Sequence, residues 1–338
     1  MCGISRDQDP SGPILVDGVW HVFPDGNGKG GGKGWSHFTS RDLLRWTEQN
    51  HSVVAGGDTG SVSKTESGII ALYPDGSPRT LQRQVPTNEA IGKLSLDVEW
   101  SAPVIAAKKP ASLGVGMRDP ARALKMADGN WYVGAGSGFG GTGPKSNSKT
   151  GLPNSGTGCL AWFKATNSTL QEFEYVGCLL TNNHTTGFID PRTVAWNQTD
   201  RVAAFFECPD IFPLGSTGKY VAMASLFNWA AGGYYTNEWF LGTIDDSKTF
   251  HLEDRGLLDY GQYYAARTGS EEQSPTGRRV LFSATGWHNP PGMASCNTQL
   301  HLIPRDMALD AKGRVTFNPI PEIASTLRKN CHVCVCVC

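Results

Sequence analysis

Three acidic residues stand in turn-like, proline-containing contexts near the ends of short apolar runs. They are Asp9 in QDPSG, Asp119 in MRDP and Glu207 in FECPD. Carboxyl groups brought together can serve as a nucleophile and as a general acid or base, provided that their surroundings push their pKa values apart. Each Asp-Pro pair taken alone is also an ordinary turn sequence. The three acids therefore point to catalysis only if the fold brings them into one pocket.

Other polar residues are weaker candidates. Asp190 in IDPRT resembles the context of Asp119, but it lies 17 positions before Glu207 and no arginine precedes it. His37 is interpreted as a structural hydrogen-bonding residue, because the body of the chain shows no zinc-ligand spacing. Cys208 is interpreted as a small buried residue that can tune Glu207. We therefore predict no metal site.

Length and charge limit the classes of partner. The chain has 338 residues, 39% of them hydrophobic, so it can bury at least one core. Lysine and arginine (30) balance aspartate and glutamate (31) without a basic stripe, which argues against nucleic acid as the main partner. No apolar stretch approaches the roughly 18 residues that cross a bilayer, and the start, MCGISRDQDP, has no apolar signal core. We expect no membrane partner, and the oligomeric state stays open.

Short alternating or apolar runs, bounded by turn residues, dominate the chain and predict strands. They cover residues 14–23, 68–73, 130–135, 202–206, 219–227, 239–244 and 279–284. Ten tryptophans and only 18% charged residues suit a polar site lined by aromatic rings, of the kind that binds sugars. The predicted class is all-β.

A weak repeat connects the acids to these strands. An acidic turn is followed by an aromatic strand residue in three places: Asp9 before Trp20, Asp119 before Trp131, and Asp210 before Tyr220. Such a recurrence is typical of propeller blades whose inner strands begin near a central funnel.

The acidic segments resemble, in order and surroundings, the catalytic motifs of glycoside hydrolase family 32, the family of invertases, fructan hydrolases and fructosyltransferases. Those motifs are an Asn-Asp-Pro-Asn-Gly block, an Arg-Asp-Pro block and a Glu-Cys block. Further segments in family order are WSH at 35–37, SRDLLRW at 40–46, TGS at 59–61, DYG at 259–261, YAA at 264–266, RRVL at 278–281 and IPR at 303–305. The resemblance covers roughly residues 5 to 330.

This resemblance implies a five-bladed β-propeller catalytic domain over residues 1–330, with the three acids meeting in a funnel. By motif, Asp9 would be the nucleophile and Glu207 the general acid and base. Asp119 would bind fructosyl hydroxyls and stabilise the transition state. The implied enzyme is a retaining glycosidase that needs no cofactor or metal.

The implied substrate is a small carbohydrate with a terminal β-D-fructofuranosyl bond, such as sucrose or a short fructan. Its expected contacts are Gln8, Trp35, Ser61 and Arg118. A fructosyltransferase is the alternative enzyme, because it differs only in whether water or a sugar hydroxyl takes the fructosyl unit.

Several features depart from the family pattern. Gln8 stands where the family has Asn, and FPDG at 23–26 replaces a stretch whose Gln contacts sugar. The chain also ends soon after PIPE at 319–322, which resembles the lead into the family's C-terminal β-sandwich. We therefore expect the sandwich to be missing, a truncation that would impair the enzyme. A catalytically inactive, carbohydrate-binding propeller is the alternative, although a binding module has no chemical need for all three acids.

The end of the chain and the compartment are separate questions. Residues 331–338, CHVCVCVC, are predicted to be a disordered tail or a gene-model artefact, because an in-frame GT repeat encodes alternating Val and Cys. The other interpretation is a Cys and His metal site. Asn167, Asn183 and Asn197 begin sequons, which together with the family suit a secreted or vacuolar protein. The five cysteines outside the tail show no disulfide-framework spacing.

Overall fold

Strands make up almost all of the regular structure. The computed structural model describes residues 9–28, 32–49, 58–75, 80–85, 99–114, 116–139, 157–181, 205–228, 234–259, 263–269, 278–285 and 299–327. Within these ranges a short π-helix, Ile323–Leu327, follows the last strand. No helix in the described ranges has the length and apolarity needed to cross a membrane. The all-β class is confirmed.

The strands form antiparallel sheets of consecutive segments, which we call blades I to V. Blade I has β1 (Pro10–Val16), β2 (Val19–Gly28), β4 (Phe38–Ser40) and β5 (Thr47–Glu48), with β3 (Gly32–Trp35) paired to β2. Blade II has β6 (Ser61–Thr65), β7 (Gly68–Asp75), β8 (Thr80–Gln84) and β9 (Val104–Lys108). Blade III has β10 (Leu124–Lys125), β11 (Trp131–Phe139), β12 (Thr157–Ala165) and β13 (Phe173–Thr181).

Blades IV and V complete the five-bladed β-propeller. Blade IV has β14 (Phe205–Pro213), β15 (Tyr220–Asn228), β16 (Tyr234–Ile244) and β17 (Phe250–Leu257). Blade V has β18 (Tyr264–Gly269), β19 (Arg279–Thr285), β20 (Gln299–Leu309) and β21 (Val315–Pro319). The predicted repeat is confirmed, because Trp20, Trp131 and Tyr220 lie at the start of the second strand of blades I, III and IV.

Hydrophobic clusters fill the spaces between successive blades. Strand β12 shows how one strand serves two of them. Ala161 and Phe163 pack in the cluster between blades II and III, whereas Leu160 and Trp162 pack in the cluster between blades III and IV. Successive side chains of a strand point to opposite faces, so a middle blade needs apolar residues at almost every position. This is why continuous apolar runs marked the strands.

The structure corrects two details of the sequence interpretation. The run at 14–23 is two strands, β1 and β2, separated by a turn at Asp17 and Gly18, which have φ of 50° and 73°. Cys159 and Cys178 form a disulfide with a Cα–Cα distance of 5.8 Å, although no disulfide spacing had been recognised. Their 19-residue separation follows from the pairing of β12 with β13. The tail at 331–338 lies outside the described residues.

Candidate active site

The candidate acids lie within or before the first strands of their blades, close to where neighbouring blades contact each other. Strand β1 contacts β6 and β18, and β14 contacts β11 and β18. Asp9 immediately precedes β1, Asp119 lies before β10 next to a bridge between Arg118 and Gly136, and Glu207 lies within β14. Three residues remote in sequence are therefore delivered to the centre by equivalent strands.

Backbone kinks re-aim these inner strands. The pairing register shifts in β1, β14 and β18, and each shift lies at a positive φ: Gly12 at 52°, Cys208 at 46° and Ala265 at 51°. Asp119 has a φ of 53°. The left-handed conformation costs a non-glycine residue on the order of 1–2 kcal/mol, and such residues cluster at functional sites. Bulges of this kind redirect side chains at the end of a strand.

The two carboxylate oxygens of Asp9 have different surroundings. Oδ2 accepts a hydrogen bond from Thr59 Oγ1 at 2.9 Å and lies 3.5 Å from the thiol of Cys208. Oδ1 is buried and has no hydrogen-bond partner among the described residues. The Asp9 backbone N–H donates to Asp25 Oδ1 at 2.7 Å. One oxygen is therefore hydrogen-bonded, whereas the other has no described partner.

Asp119 is held by the segment that carries Glu207. Its Oδ2 accepts the backbone N–H of Cys208 at 3.0 Å, and the Cys208 thiol lies 3.7 Å away. Arg118 Nε is 3.6 Å from the same oxygen. Because the Cys208 thiol also contacts Asp9, it lies between two carboxylates and next to Glu207 in the chain.

Glu207 forms an ion pair with Arg118. The Glu207 side chain is 13% exposed and that of Arg118 is 16% exposed, so both are largely buried. The guanidinium of Arg118 lies over the ring of Phe205, 4.5 Å from its centroid. Arg118 thus connects Asp119 with Glu207, and the predicted convergence of the three acids is observed.

A buried arginine holds the backbone segments around the site together. Arg267, from blade V, donates to the backbone carbonyl of Pro209, to that of Pro120 at 3.3 Å and to that of Asp119 at 3.0 Å. It therefore ties the inner segments of blades III and IV to blade V. Asp210 accepts from Thr268 N–H and Oγ1 at 2.8 and 2.7 Å in the same layer.

Burial and like charges shift the ionisation of the cluster. Burial, then the charges of Asp119 and Glu207, raises the pKa of Asp9 to about 7, against the hydrogen bonds of Thr59 and Cys208. Burial also raises the pKa of Asp119, opposed by Arg118. The pKa of the Cys208 thiol is raised well above its usual value by burial and then by the neighbouring carboxylates. Asp9 and Asp119 therefore hold protons more tightly than isolated carboxyl groups do, and Cys208 stays a neutral thiol.

The predicted substrate contacts have different positions. Arg118 lies in the site. Trp35 is fully buried, and its indole N–H donates to the Asp58 carbonyl at 3.2 Å. Ser61 is buried as well, and its hydroxyl donates to the Ala121 carbonyl at 2.8 Å. Gln8 lies outside the described residues. In this conformation Trp35 and Ser61 support the walls of the site, and their contact with substrate stays a prediction.

Comparison with known proteins decides the family. The profile of the glycosyl hydrolases family 32 N-terminal domain matches residues 7–319. The chain belongs to glycosyl hydrolase family 32.

Curated proteins and a solved structure resemble this family 32 chain over most of its length. It is 25% identical to a fructan 6-exohydrolase of Beta vulgaris, covering 96% of this chain and 54% of that protein. It is 27% identical to an insoluble beta-fructofuranosidase isoenzyme of Arabidopsis thaliana, covering 96% and 55%. The crystal structure of fructan 1-exohydrolase IIa from Cichorium intybus superposes with a TM-score of 0.65 at 20% identity, covering 94% of this chain and 59% of that one. The chain spans about half the length of these curated relatives.

Three residues of the family 32 site escaped the sequence analysis. Thr59 belongs to the TGS segment, but only Ser61 of that segment was selected. Asp25 stands in FPDG, where the departure from the family pattern was noted without assigning the aspartate a role. Arg267 is a charged residue within the buried strand β18, which is a signal that could have been read from the sequence. Asp190, the rival of Asp119, lies outside the described residues, and no group of three or more His, Cys, Asp or Glu in the described part of the chain could hold a metal ion.

Proposed function

We propose that this chain forms the catalytic propeller of a retaining β-fructofuranosidase. The proposed substrate is the terminal fructosyl unit of sucrose or a short fructan. The observation that carries the proposal is the unequal treatment of the Asp9 oxygens: Oδ2 is held by Thr59 and Cys208, whereas Oδ1 has no partner among the described residues. A nucleophile needs such a free, oriented oxygen.

In the proposed first step, Asp9 Oδ1 attacks the anomeric carbon as the bond to the leaving oxygen breaks. Glu207 gives its proton to that oxygen, and the aglycone leaves as a neutral alcohol. Arg118, already paired with Glu207, stabilises the carboxylate that this transfer creates. Asp119 accepts hydrogen bonds from fructosyl hydroxyls while positive charge develops on the sugar.

In the proposed second step, Glu207 acts as a base. It removes a proton from water, the water oxygen attacks the anomeric carbon, and Asp9 leaves as a carboxylate. Free fructose is released, and both carboxyl groups return to their starting states. A sugar hydroxyl in place of water would make the same chain a fructosyltransferase.

Sugar release by matched variants tests the proposal. Purified chain is incubated with sucrose, inulin and levan oligosaccharides, and fructose and transfer products are quantified. We expect Asp9→Asn to abolish release and Glu207→Gln to lower it by about 10²–10⁴-fold, the usual loss when a general acid is removed. Asp17→Asn is the matched control, because Asp17 is exposed in the β1–β2 turn and Asn tolerates its positive φ.

Three results would redirect the proposal. Sugar binding without release by folded wild-type protein would indicate the non-catalytic propeller. Fructosylated sugars as the main product would indicate the transferase. Full activity of Asp9→Asn would remove Asp9 from the mechanism.

A further inference from the structure

Asp25 shares one hydroxyl group with the proposed nucleophile. Thr59 Oγ1 lies 2.9 Å from Asp9 Oδ2 and 3.0 Å from Asp25 Oδ2. The other oxygen of Asp25, Oδ1, accepts the backbone N–H of Asp9 at 2.7 Å. Thr59 and Asp9 are both buried. Two carboxyl groups from strands of blade I therefore meet at a single side-chain donor.

Thr59 has a single hydroxyl proton, and this limits the charge states of Asp9 and Asp25. A hydroxyl has one proton to donate and lone pairs with which to accept. Thr59 can therefore donate to only one of the two carboxyl groups. Its contact with the other is a hydrogen bond only if that carboxyl carries a proton of its own, since opposed lone pairs in a buried site are costly. One proton must reside on Asp9 Oδ2 or on Asp25 Oδ2.

The surroundings of the two groups favour Asp25 as the carrier. Asp9 Oδ2 faces a second donor, the Cys208 thiol at 3.5 Å, which suits an ionised oxygen. Asp25 Oδ1 is occupied by the Asp9 N–H, so a proton on Asp25 must sit on Oδ2, the atom that faces Thr59. A nucleophile must also be ionised, and at this point the inference rests on the proposed function.

We propose that Asp25 is a positioning residue that stays protonated, donates to Thr59, and so directs the Thr59 proton onto an ionised Asp9. Thr59 then accepts a hydrogen bond from Asp25 and donates one to Asp9, and we call it the connector between the two carboxyl groups. Asp9 Oδ2 is held, and the negative charge is available on Oδ1.

The charges around Asp25 agree with a neutral side chain. Among the described residues, the charges of Asp9 and Asp119 act on Asp25. The groups that act on those two carboxyl groups are Asp58, Glu207, Cys208, Arg118 and Arg267. Two guanidinium groups thus serve a larger number of acids, so a further negative charge would be poorly compensated. Burial first, then the charge of Asp9, raises the pKa of Asp25 well above its ordinary value, against the hydrogen bond from the Asp9 N–H.

Asp25→Asn tests the protonation state, because an asparagine amide imitates a protonated carboxyl. Its oxygen can accept the Asp9 N–H, and its NH₂ group can donate to Thr59. We expect the acidic limb of the pH profile of kcat/KM to stay at the same pH as in wild type, because the substitution removes no charge. If Asp25 were ionised in the working enzyme, removing its charge would lower the pKa of Asp9 and move the acidic limb by about one pH unit or more towards acid. That shift would overturn the proposal, as would loss of activity as complete as in Asp9→Asn.

Variants of Thr59 test the connector. Thr59→Val removes the donor to ionised Asp9 and should raise the pKa of Asp9, so the acidic limb moves towards neutral pH and kcat/KM falls by about tenfold. Thr59→Ser keeps the hydroxyl and should restore both quantities. An unchanged pH profile in Thr59→Val would contradict the connector.

Infrared spectroscopy separates this inference from the proposed activity. Wild-type protein at neutral pH should show one more protonated-carboxyl C=O band than Asp25→Asn. That difference is expected even if no fructose is released from any substrate, whereas its absence would overturn the protonated state of Asp25 in a fully active enzyme.

Discussion

At the residue scale, the proposed chemistry depends on which atoms of Asp9, Asp119 and Glu207 already have hydrogen-bond partners. Cys208 is an example, because its backbone N–H donates to Asp119 while its thiol lies 3.5 Å from Asp9. These contacts orient the two aspartate carboxyl groups within the folded protein. Preorganised groups of this kind avoid the cost of reorganisation during the reaction.

The acids could be selected from the sequence because their motifs are local. Asp9 with Pro10 and Glu207 with Cys208 are recognisable as short segments. The partnership of Asp25 with Thr59 could not be found in this way, since the two residues are 34 positions apart and belong to different blades. Arg267 reaches carbonyls that lie 58 to 148 positions away, which only the closed ring brings together.

A buried histidine pair makes a prediction about acid stability. His21 Nδ1 and His37 Nε2 are 2.9 Å apart, and both rings are buried against Phe23. Burial lowers the pKa of His21 to about 4 and, together with the neighbouring histidine, that of His37 to about 3. The unfolded chain protonates these groups near pH 6.5, so their stabilising contribution is complete above that pH and is lost as pH falls towards 4 and 3.

Urea denaturation between pH 7 and 4 measures this effect. The wild-type free energy of unfolding should fall by about 6 kcal/mol more than that of the double variant His21→Phe, His37→Phe, on the order of 3 kcal/mol for each histidine. Val176→Ala is the control, because Val176 is exposed on β13 and the substitution removes no titratable group. Equal acid sensitivity in the double variant and the wild type would show that the pair is not responsible.

At the element scale, the strands could be predicted from their apolar residues, whereas the register in which the strands pair could not. Runs such as 219–227 and 279–284 correspond to β15 and β19 because their apolar residues face neighbouring blades. The turn at Asp17 and Gly18 splits the run at 14–23, since both residues adopt a positive φ. The Cys159–Cys178 disulfide depends on how β12 pairs with β13, which composition does not specify.

The disulfide should contribute measurably to stability. Replacing Cys159 and Cys178 together by Ala should lower the free energy of unfolding by about 2–4 kcal/mol, as expected for a loop of this length. Disulfides of this kind persist in oxidising compartments. A non-reducing digest of protein made in such a compartment should yield the linked peptide, and chemical denaturation gives the stability.

Two outcomes bear on this prediction. Equal stability of the double variant and the wild type would mean that the bond does not constrain the chain. The double variant could also lose stability because alanine makes fewer packing contacts in blade III. Adding reductant to the wild type breaks the disulfide without changing any residue, and it should reproduce the loss in the free energy of unfolding.

At the scale of the whole molecule, hydrophobic packing joins the last blade to the first. Each blade consists of consecutive strands, and within the described ranges no strand is shared between blades V and I. Their interface is a cluster of Trp20, Leu43, Val280, Phe282 and Ile320. Resemblance to a family implied five blades, but neither composition nor the irregular repeat could establish how the first blade meets the last.

Phe282 tests the closure. It is fully buried and packs against Trp20 and Trp46, with ring centroids 6.3 and 5.9 Å away. Phe282→Ala should lower the free energy of unfolding by about 3–5 kcal/mol, the usual cost of emptying a core site. Val176→Ala, at an exposed position on β13, is the control. A loss no larger than that of the control, measured by thermal or chemical unfolding, would show that the ring does not depend on this cluster.

The most direct measurement for the whole account is the identity of the covalently modified residue during turnover. Protein mixed with sucrose is quenched in acid within the first turnovers, digested and mapped by mass spectrometry. The account predicts one hexosyl unit on the peptide that contains Asp9 and none in Asp9→Asn. Turnover without an adduct, or an adduct on Asp25, Asp119 or Glu207 instead, would contradict it.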